Sequence, residues 1–274
     1  VDGGELRRPS PGTAASVRTP SHVASSADES EGVDGLVETD RVEALAWIDG
    51  YLDGHDALVL KPVYGYGGGG VLVCRRDETG GYRVNGDPKT ADEFAALLDD
   101  LEEYLAWAFA EQAGYAAELF PGSANTVRVV TMWDYQTDEP FVVGAFHRVG
   151  TSESAPVDNW SRGGLAAEVS DEGVLGRGAR LDDAEYAAQR EVTHPDTGAR
   201  IEGTRVPGWP TVRDRIVEMA AELPYLPRIG WDVLVTGEGE FVVLEANAHA
   251  AMVELQVFRP LLRDPRVRRF YEHH

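Results

Sequence analysis

A single cysteine, Cys74, in 274 residues leaves no internal disulfide and no cysteine-based zinc cluster, and it fits a reducing compartment. Lysine is nearly absent as well. Only Lys61 and Lys89 occur, so the 25 basic residues are almost all arginine. No run of about 18 apolar residues exists that could cross a membrane; even the stretch around Phe241 to Leu244 is closed by Glu240 and Glu245. The chain opens on Val and lacks the basic-then-apolar order of a signal peptide, as expected of a truncated chain.

What is present in excess is carboxylate. Against 25 basic residues stand 47 acidic ones, for a formal net charge of -22. Such a surface repels phosphate backbones, which excludes nucleic acid as a partner. Asp and Glu at this density with so little Lys point to a halophilic, salt-adapted cytoplasm, where salt screens charge repulsion and carboxylates keep the surface hydrated. A solvated acidic face without functional meaning has the same composition. Hydrophobic residues at 43% place the chain among folded globular proteins.

Residues 1–39 are rich in Ser, Gly, Pro, Asp and Glu and too poor in apolar pairs to repay the entropy of ordering, so a linker or disordered segment is expected there. From Asp40, the residues Val42, Leu45, Ala46, Ile48 and Leu52 recur at helical spacing. Ala57 to Pro62 and Val71 to Cys74 are apolar runs of strand length on either side of a glycine-rich turn, which predicts a hairpin. Thr90 followed by Glu93 is a capping-box pattern, and Phe94, Leu97, Leu98 and Leu101 give that helix a buried stripe against the hairpin sheet. Further on, strands are expected over 126–132, 140–149, 230–236 and 240–246, with a helix from Thr211 to about Leu223. The stretch 151–210 reads as irregular. The result is an α+β chain of two lobes, 40–112 and 113–274.

The segment VLKPVYGYGGGGVLV sets Lys61 at the end of a buried strand, followed at once by Tyr64, Gly65, Tyr66, Gly67, Gly68, Gly69 and Gly70. Without side chains in the way, backbone N–H groups there can close around phosphate oxygens, and the Lys supplies the compensating charge. A flexible turn beside a snorkelling Lys would have the same sequence. Neither the Walker spacing nor the Rossmann spacing fits, since both lead from a strand into a helix and these glycines lead into a strand.

Near the other end, GWDVLVTGEGEFVVLEANAHA places Asp232 in one strand and Glu245 and Asn247 in the next. Glu245 and Asn247, two residues apart, share a face, and antiparallel pairing brings Asp232 beside them. Carboxylate and amide oxygens bridging to phosphates are what Mg²⁺ selects; an acidic hairpin end in an acidic protein is the alternative. Arg128 lies mid-strand in an apolar run, where a guanidinium requires an anion, whether a ligand or an acidic neighbour.

Taken together the chain resembles the ATP-grasp ligases, and more narrowly their sugar-transfer-associated branch, with echoes of the glutamate ligases that act on a ribosomal protein. The resemblance runs from about Leu58 to Gln256. Its carriers are the strand Lys with its glycine loop, NTVRVVT at Asn125 to Thr131, NWSRGG at Asn159 to Gly164, HPDTG at His194 to Gly198, and Asp232 with Glu245-Ala246-Asn247. It implies an ATP-grasp fold with the nucleotide between two α+β lobes.

By that resemblance Lys61 and Tyr64 to Gly70 hold the ATP phosphates, and Asp232, Glu245 and Asn247 hold Mg²⁺. Arg128 stabilises the transferring phosphoryl group, with Arg148, Asn159 and Arg162 on the same wall. Glu111 and Gln112 form the adenine linker. They follow Ala106-Trp107-Ala108-Phe109 where many relatives carry acidic residues, which directs the adenine contact to linker backbone. The implied activity is ATP-dependent joining of a carboxylate to an amine or thiol through an acyl phosphate. Small-molecule or peptide substrates and a sugar-processing partner enzyme belong to that expectation. A non-catalytic ATP-binding module or partner subunit is the reading from a different class. The small preceding domain and first ATP-contacting Lys of the family are not in this sequence. His194, a lone His before Pro in a loop, is expected to be structural.

Overall fold

A computed structural model describes residues 15–18, 22–23, 41–64, 68–101, 103–182, 187–248 and 250–274. The chain divides into two compact units, Val1–Phe109 and Ala110–His274.

The first unit is built on one antiparallel sheet. Its elements are β1 (Ala15–Arg18), β2 (His22–Val23), α1 (Arg41–Leu52), β3 (Leu58–Pro62), β4 (Leu72–Arg76), β5 (Tyr82–Val84), β6 (Asp87–Lys89), α2 (Ala91–Asp99) and β7 (Tyr104–Ala108). The sheet order is β2-β1-β7-β3-β4-β5-β6. The expected hairpin is β3 against β4, with Leu58 opposite Cys74 and Leu60 opposite Leu72. Those residues alternate onto one face and join Ile48, Leu52, Phe94, Leu98 and Leu101 in a single core. Thr90 caps α2 as a full capping box, its side chain accepting from the Glu93 N–H while the Glu93 carboxylate accepts from the Thr90 N–H. In α1 the buried stripe is Ala44, Ile48 and Leu52, spaced by four, and Ala46 is exposed, contrary to the expected face. Residues 1–39, expected to form no element, contain β1, which pairs antiparallel with β7 and with β2. β1 and the two-residue edge strand β2 are held by backbone hydrogen bonds, which require few apolar residues, so they leave little mark in composition.

The second unit contains α3 (Gly114–Leu119), β8 (Val127–Asp134), β9 (Glu139–Val149), β10 (Leu165–Val169), β11 (Leu175–Asp182), β12 (Ala187–Glu191), α4 (Trp209–Ala221), β13 (Arg228–Gly237), β14 (Glu240–Asn247), α5 (Val253–Phe258) and α6 (Pro265–His273). Its antiparallel sheet runs β12-β11-β10-β9-β8-β13-β14. The span 151–210, read as irregular, therefore supplies three strands, and this corrects the expectation. One face of the sheet buries Val127, Val129, Ala145, Leu165, Trp231 and Val233 under Trp209, Val212 and Ile216 of α4. The other face buries Val130, Met132, Phe146 and Ala166 under Met252, Leu255, Val267 and Phe270. With both faces covered, charged residues at the end of this sheet are held among apolar neighbours.

Candidate functional site

Cross-strand partners in a sheet share a face. Arg128 on β8 stands opposite both Asp232 on β13 and Phe146 on β9, while Asp232 stands opposite Glu245 on β14, and Asn247 pairs with Gly230 two residues away. Arg148 lies opposite Ala166, which belongs to the same core as Phe146. Register alone thus brings Arg128, Arg148, Asp232, Glu245 and Asn247 to one face. Gly230 keeps that face open to the chain following β14, because a Cβ there would overlap the Cβ of Ala250.

The two guanidiniums and the aspartate are locked together. Arg128 donates from Nε to Asp232 Oδ1 and from its terminal nitrogen to Asp232 Oδ2 at 2.9 Å. A terminal nitrogen of Arg148 reaches Asp232 Oδ2 at 3.2 Å and Asp158 Oδ1 at 3.1 Å, and its Nε donates to Thr126 Oγ1 at 3.0 Å. Asp158 also accepts from the Thr126 N–H at 2.8 Å and hydroxyl at 2.6 Å. The side chains of Arg128 and Asp232 are only 12% and 6% exposed. Burial opposes the charge on Arg148, and the carboxylates of Asp158, Asp232, Glu254 and Glu245, in decreasing order, outweigh it and hold its proton more tightly than usual.

Behind this face His147 is fully buried. Its Nδ1 lies 2.9 Å from the Arg148 carbonyl, which can only accept, so Nδ1 carries the proton and Nε2 accepts from Tyr115 Oη at 2.8 Å. Burial pushes the imidazole down to about 4, with the bond to Arg148 and the charge of Asp158 opposing it, so the ring is neutral near pH 7. Burial raises Tyr115 in turn.

Other expected residues lie elsewhere in the second unit. The Gln112 amide is committed internally, accepting from the Asn125 N–H at 2.9 Å and donating to the Ser123 carbonyl at 2.9 Å. Asn125 is a buried hub that also bonds the Ala116 and Phe120 carbonyls and the Gly150 N–H. Glu111 is exposed. Asn159 caps the short turn Trp160–Arg162 by accepting from the Ser161 N–H, and Arg162 is exposed. His194 pins a turn: Nε2 donates to the Gly150 carbonyl at 2.7 Å and Nδ1 accepts from the Asp196 and Thr197 N–H groups.

In the first unit Leu58 and Leu60 face the core, which turns Val59 and Lys61 to the other side with their partners Trp107 and Leu105. The Lys61 ammonium lies 5.6 Å from the centre of the Trp107 ring. Arg75 on β4 lies over Phe109 at 4.6 Å. The face is a half-exposed apolar plane that carries two cations. Of the glycine loop, Gly65, Tyr66 and Gly67 lie outside the described residues. Tyr64 is 79% exposed, and Gly68 and Gly70 adopt φ of 72° and 79°. At Gly70 a Cβ would also meet Tyr104 Oη at 2.7 Å, so glycine is required there.

The donors Asp232, Glu245 and Asn247 are hard oxygens of the kind a small divalent cation takes. Among the described residues no three of His, Cys, Asp and Glu are gathered as a preformed metal group. A site of one or two carboxylates completed by phosphate oxygens does not need one. A buried carboxylate oxygen on α5, Glu254 Oε2, has no hydrogen-bond donor. Sequence reasoning missed Asp158, Thr126, Glu254, His147 and Arg75. Asp158, adjacent to Asn159 in a recognised turn, and Thr126, within the NTVRVVT segment, carried a local signal.

The sugar-transfer associated ATP-grasp family model matches residues 17–264. No functionally curated protein matches the chain. Among solved structures, a RiPP-associated ATP-grasp ligase of Chryseobacterium gregarium, in complex with ADP and a leader and core peptide, is 13% identical over 86% of this chain and 53% of that one, at a TM-score of 0.42. N5-carboxyaminoimidazole ribonucleotide synthetase in its ADP complex is 14% identical over 77% and 38%, at 0.39. The ATP-grasp ligase PsnB with minimal precursor, Mg and ADP is 14% identical over 84% and 50%, at 0.35. The chain spans between 38% and 53% of the length of these solved chains.

Proposed function

The chain belongs to the sugar-transfer associated ATP-grasp family, and from that premise we propose that it is an ATP-dependent ligase joining a carboxylate to an amine. The carboxylate oxygen takes the γ-phosphoryl group as its bond to ADP breaks. The amine nitrogen then attacks the acyl carbon, phosphate leaves with the C–O bond, and the amine's protons pass to solvent. A thiol nucleophile would follow the same course.

The observation that carries this reading is the pair of largely buried guanidiniums, Arg128 and Arg148, on one sheet face with the oxygen donors Asp232, Glu245 and Asn247. An anion-stabilising group beside a cation-binding group is what phosphoryl transfer requires. Lys61 and the backbone of the glycine turn hold the phosphates, Trp107 and Leu105 offer an apolar surface to the base, and backbone of 111–112 meets the adenine edge. Arg128 and Arg148 take the charge that develops on the phosphoryl and acyl-phosphate oxygens, while Asp158 and Thr126 keep Arg148 aimed. Magnesium held by Asp232, Glu245 and Asn247 would draw charge from the phosphate oxygens. The substrates are small molecules or peptides, and a sugar-processing enzyme is the partner class.

Two measurements test the assignment. Lys61→Ala should weaken ATP binding by more than about tenfold, or about 1.4 kcal/mol, with an unchanged circular dichroism spectrum; equal affinity at equal folded fraction would remove Lys61 from the site. Glu245→Gln combined with Asn247→Ala should abolish the Mg²⁺-dependent part of nucleotide affinity. A metal effect of the same size in the double variant would move the cation elsewhere.

A second reading, a nucleotide-binding module without turnover, draws on the engagement of both Asp232 oxygens by arginine. ATP hydrolysis stimulated by a carboxylate and an amine together separates ligase from module.

A further inference from the structure

Glu254 stands in the first turn of α5, next to Leu255, which is fully buried in the core that also holds Phe146. Phe146 is the cross-strand partner of Arg128. The helix therefore seats Glu254 over the sheet face that carries the arginines. Its Oε2 is shielded from water and accepts no hydrogen bond, and no other such side-chain atom occurs among the described residues. Native proteins seldom leave a buried acceptor in this state, and an absent ion is one of its few explanations.

The neighbours do not remedy it. Arg148, whose charge is supported in part by Glu254, engages Asp158, Asp232 and Thr126 through Nε and one terminal nitrogen. Arg128 engages Asp232 in the same way, and neither donates to Glu254 Oε2. Four carboxylates, Asp158, Asp232, Glu254 and Glu245, act on Arg148, and one of them, Asp232, also pairs with Arg128, so formal negative charges outnumber the two guanidiniums. Asp232 holds arginine through both oxygens, which leaves it poorly placed to serve a metal alone. An excess of carboxylate beside an unpaired hard oxygen suits a divalent cation.

We propose that Glu254 is a ligand of the divalent cation that accompanies the nucleotide, acting with Glu245 in a role that the family motif leaves to Asp232. The terminal torsion of Glu is soft, so a modest rotation of the carboxylate presents Oε2 to the ion. Phosphate oxygens and water complete the shell. This rests on the nucleotide-ligase reading above.

The test uses the full chain and Mn²⁺ as the metal, with ADP titrated calorimetrically in the presence of Mn²⁺ and in EDTA. In Glu254→Gln the Mn²⁺ enhancement of ADP affinity is expected to fall by about tenfold or more, while ADP affinity in EDTA stays within about twofold. The ligand-free variant should melt no lower than the parent, because the neutral amide removes an unpaired buried charge. Glu254→Asp should recover part of the enhancement. An undiminished Mn²⁺ enhancement in Glu254→Gln overturns the assignment, as does an equal loss of ADP affinity with and without metal, which marks a structural role. Absence of any Mn²⁺ enhancement in the parent would instead overturn the nucleotide-ligase reading, and this inference with it.

Discussion

Asp232→Ala is expected to lower the melting temperature on the order of 10 °C. The aspartate answers two guanidiniums at once, Arg128 through both oxygens and Arg148 through one, in surroundings that leave it 6% exposed. Removing one partner of a buried pair strands the other, at a cost of roughly 3–5 kcal/mol, and each kcal/mol moves the midpoint of a domain this size by about 2–4 °C. The companion variant Arg128→Met with Asp232→Leu fills the same space with apolar side chains. It should recover most of the lost stability, since replacing a whole buried pair is often neutral. Thermal melts of the three proteins decide it. A single variant melting within about 1 °C of the parent would mean that the pair contributes nothing to the native state.

The second large effect depends on pH. His147 is neutral in the folded protein and titrates at about 4, against 6.5 for an ordinary imidazole, chiefly because it is buried. Between those values the unfolded chain binds a proton that the native state refuses. Stability is therefore complete above about pH 6.5 and is lost as the pH falls toward 4, by an amount on the order of 3 kcal/mol. Acid also titrates carboxylates throughout the chain, so the informative quantity is a difference. The stability of the parent minus that of His147→Gln, from urea unfolding at pH 7, 5.5 and 4, should shrink as the pH drops. A constant difference across that range would remove His147 as the source.

Both effects arise from residues that the sequence revealed unevenly. The common face of Asp232, Glu245 and Asn247 was legible because strand alternation and the β13–β14 hairpin are short-range, whereas Arg128 reaches them only through the pairing of β8 with β13, 104 residues away at Asp232. The α2 helix was legible down to its capping box, since Thr90 and Glu93 are three residues apart. That Asp158 and Glu254 are neighbours of Arg148 was not legible. They come from a turn and from a six-residue helix, and only the folding of distant segments over the sheet brings them to Arg148. The strands β10 and β11, LAAEV and LGRGARLD, are dominated by Ala, Gly and Arg and have little intrinsic preference for a sheet. Pairing of β10 with β9, and of β11 with β10, decides their state. The destination of Gln112 was hidden for the same reason, since the buried Asn125 that takes up its amide gives no periodic signal.

The position of β14 has a kinetic side. This strand carries Glu245 and Asn247, pairs among the described residues with β13 alone at the end of the sheet, and has no fully buried residue. Amide protons on such an edge exchange with solvent through small local openings, whereas those of β8 and β13 wait for much larger ones. Whatever binds at Glu245 and Asn247 must therefore select the closed fraction of a fraying ribbon, and part of its binding free energy goes into slowing that exchange. Affinity at this site is thus tied to the order of one edge strand, and residues along β14 that touch no ligand can tune it.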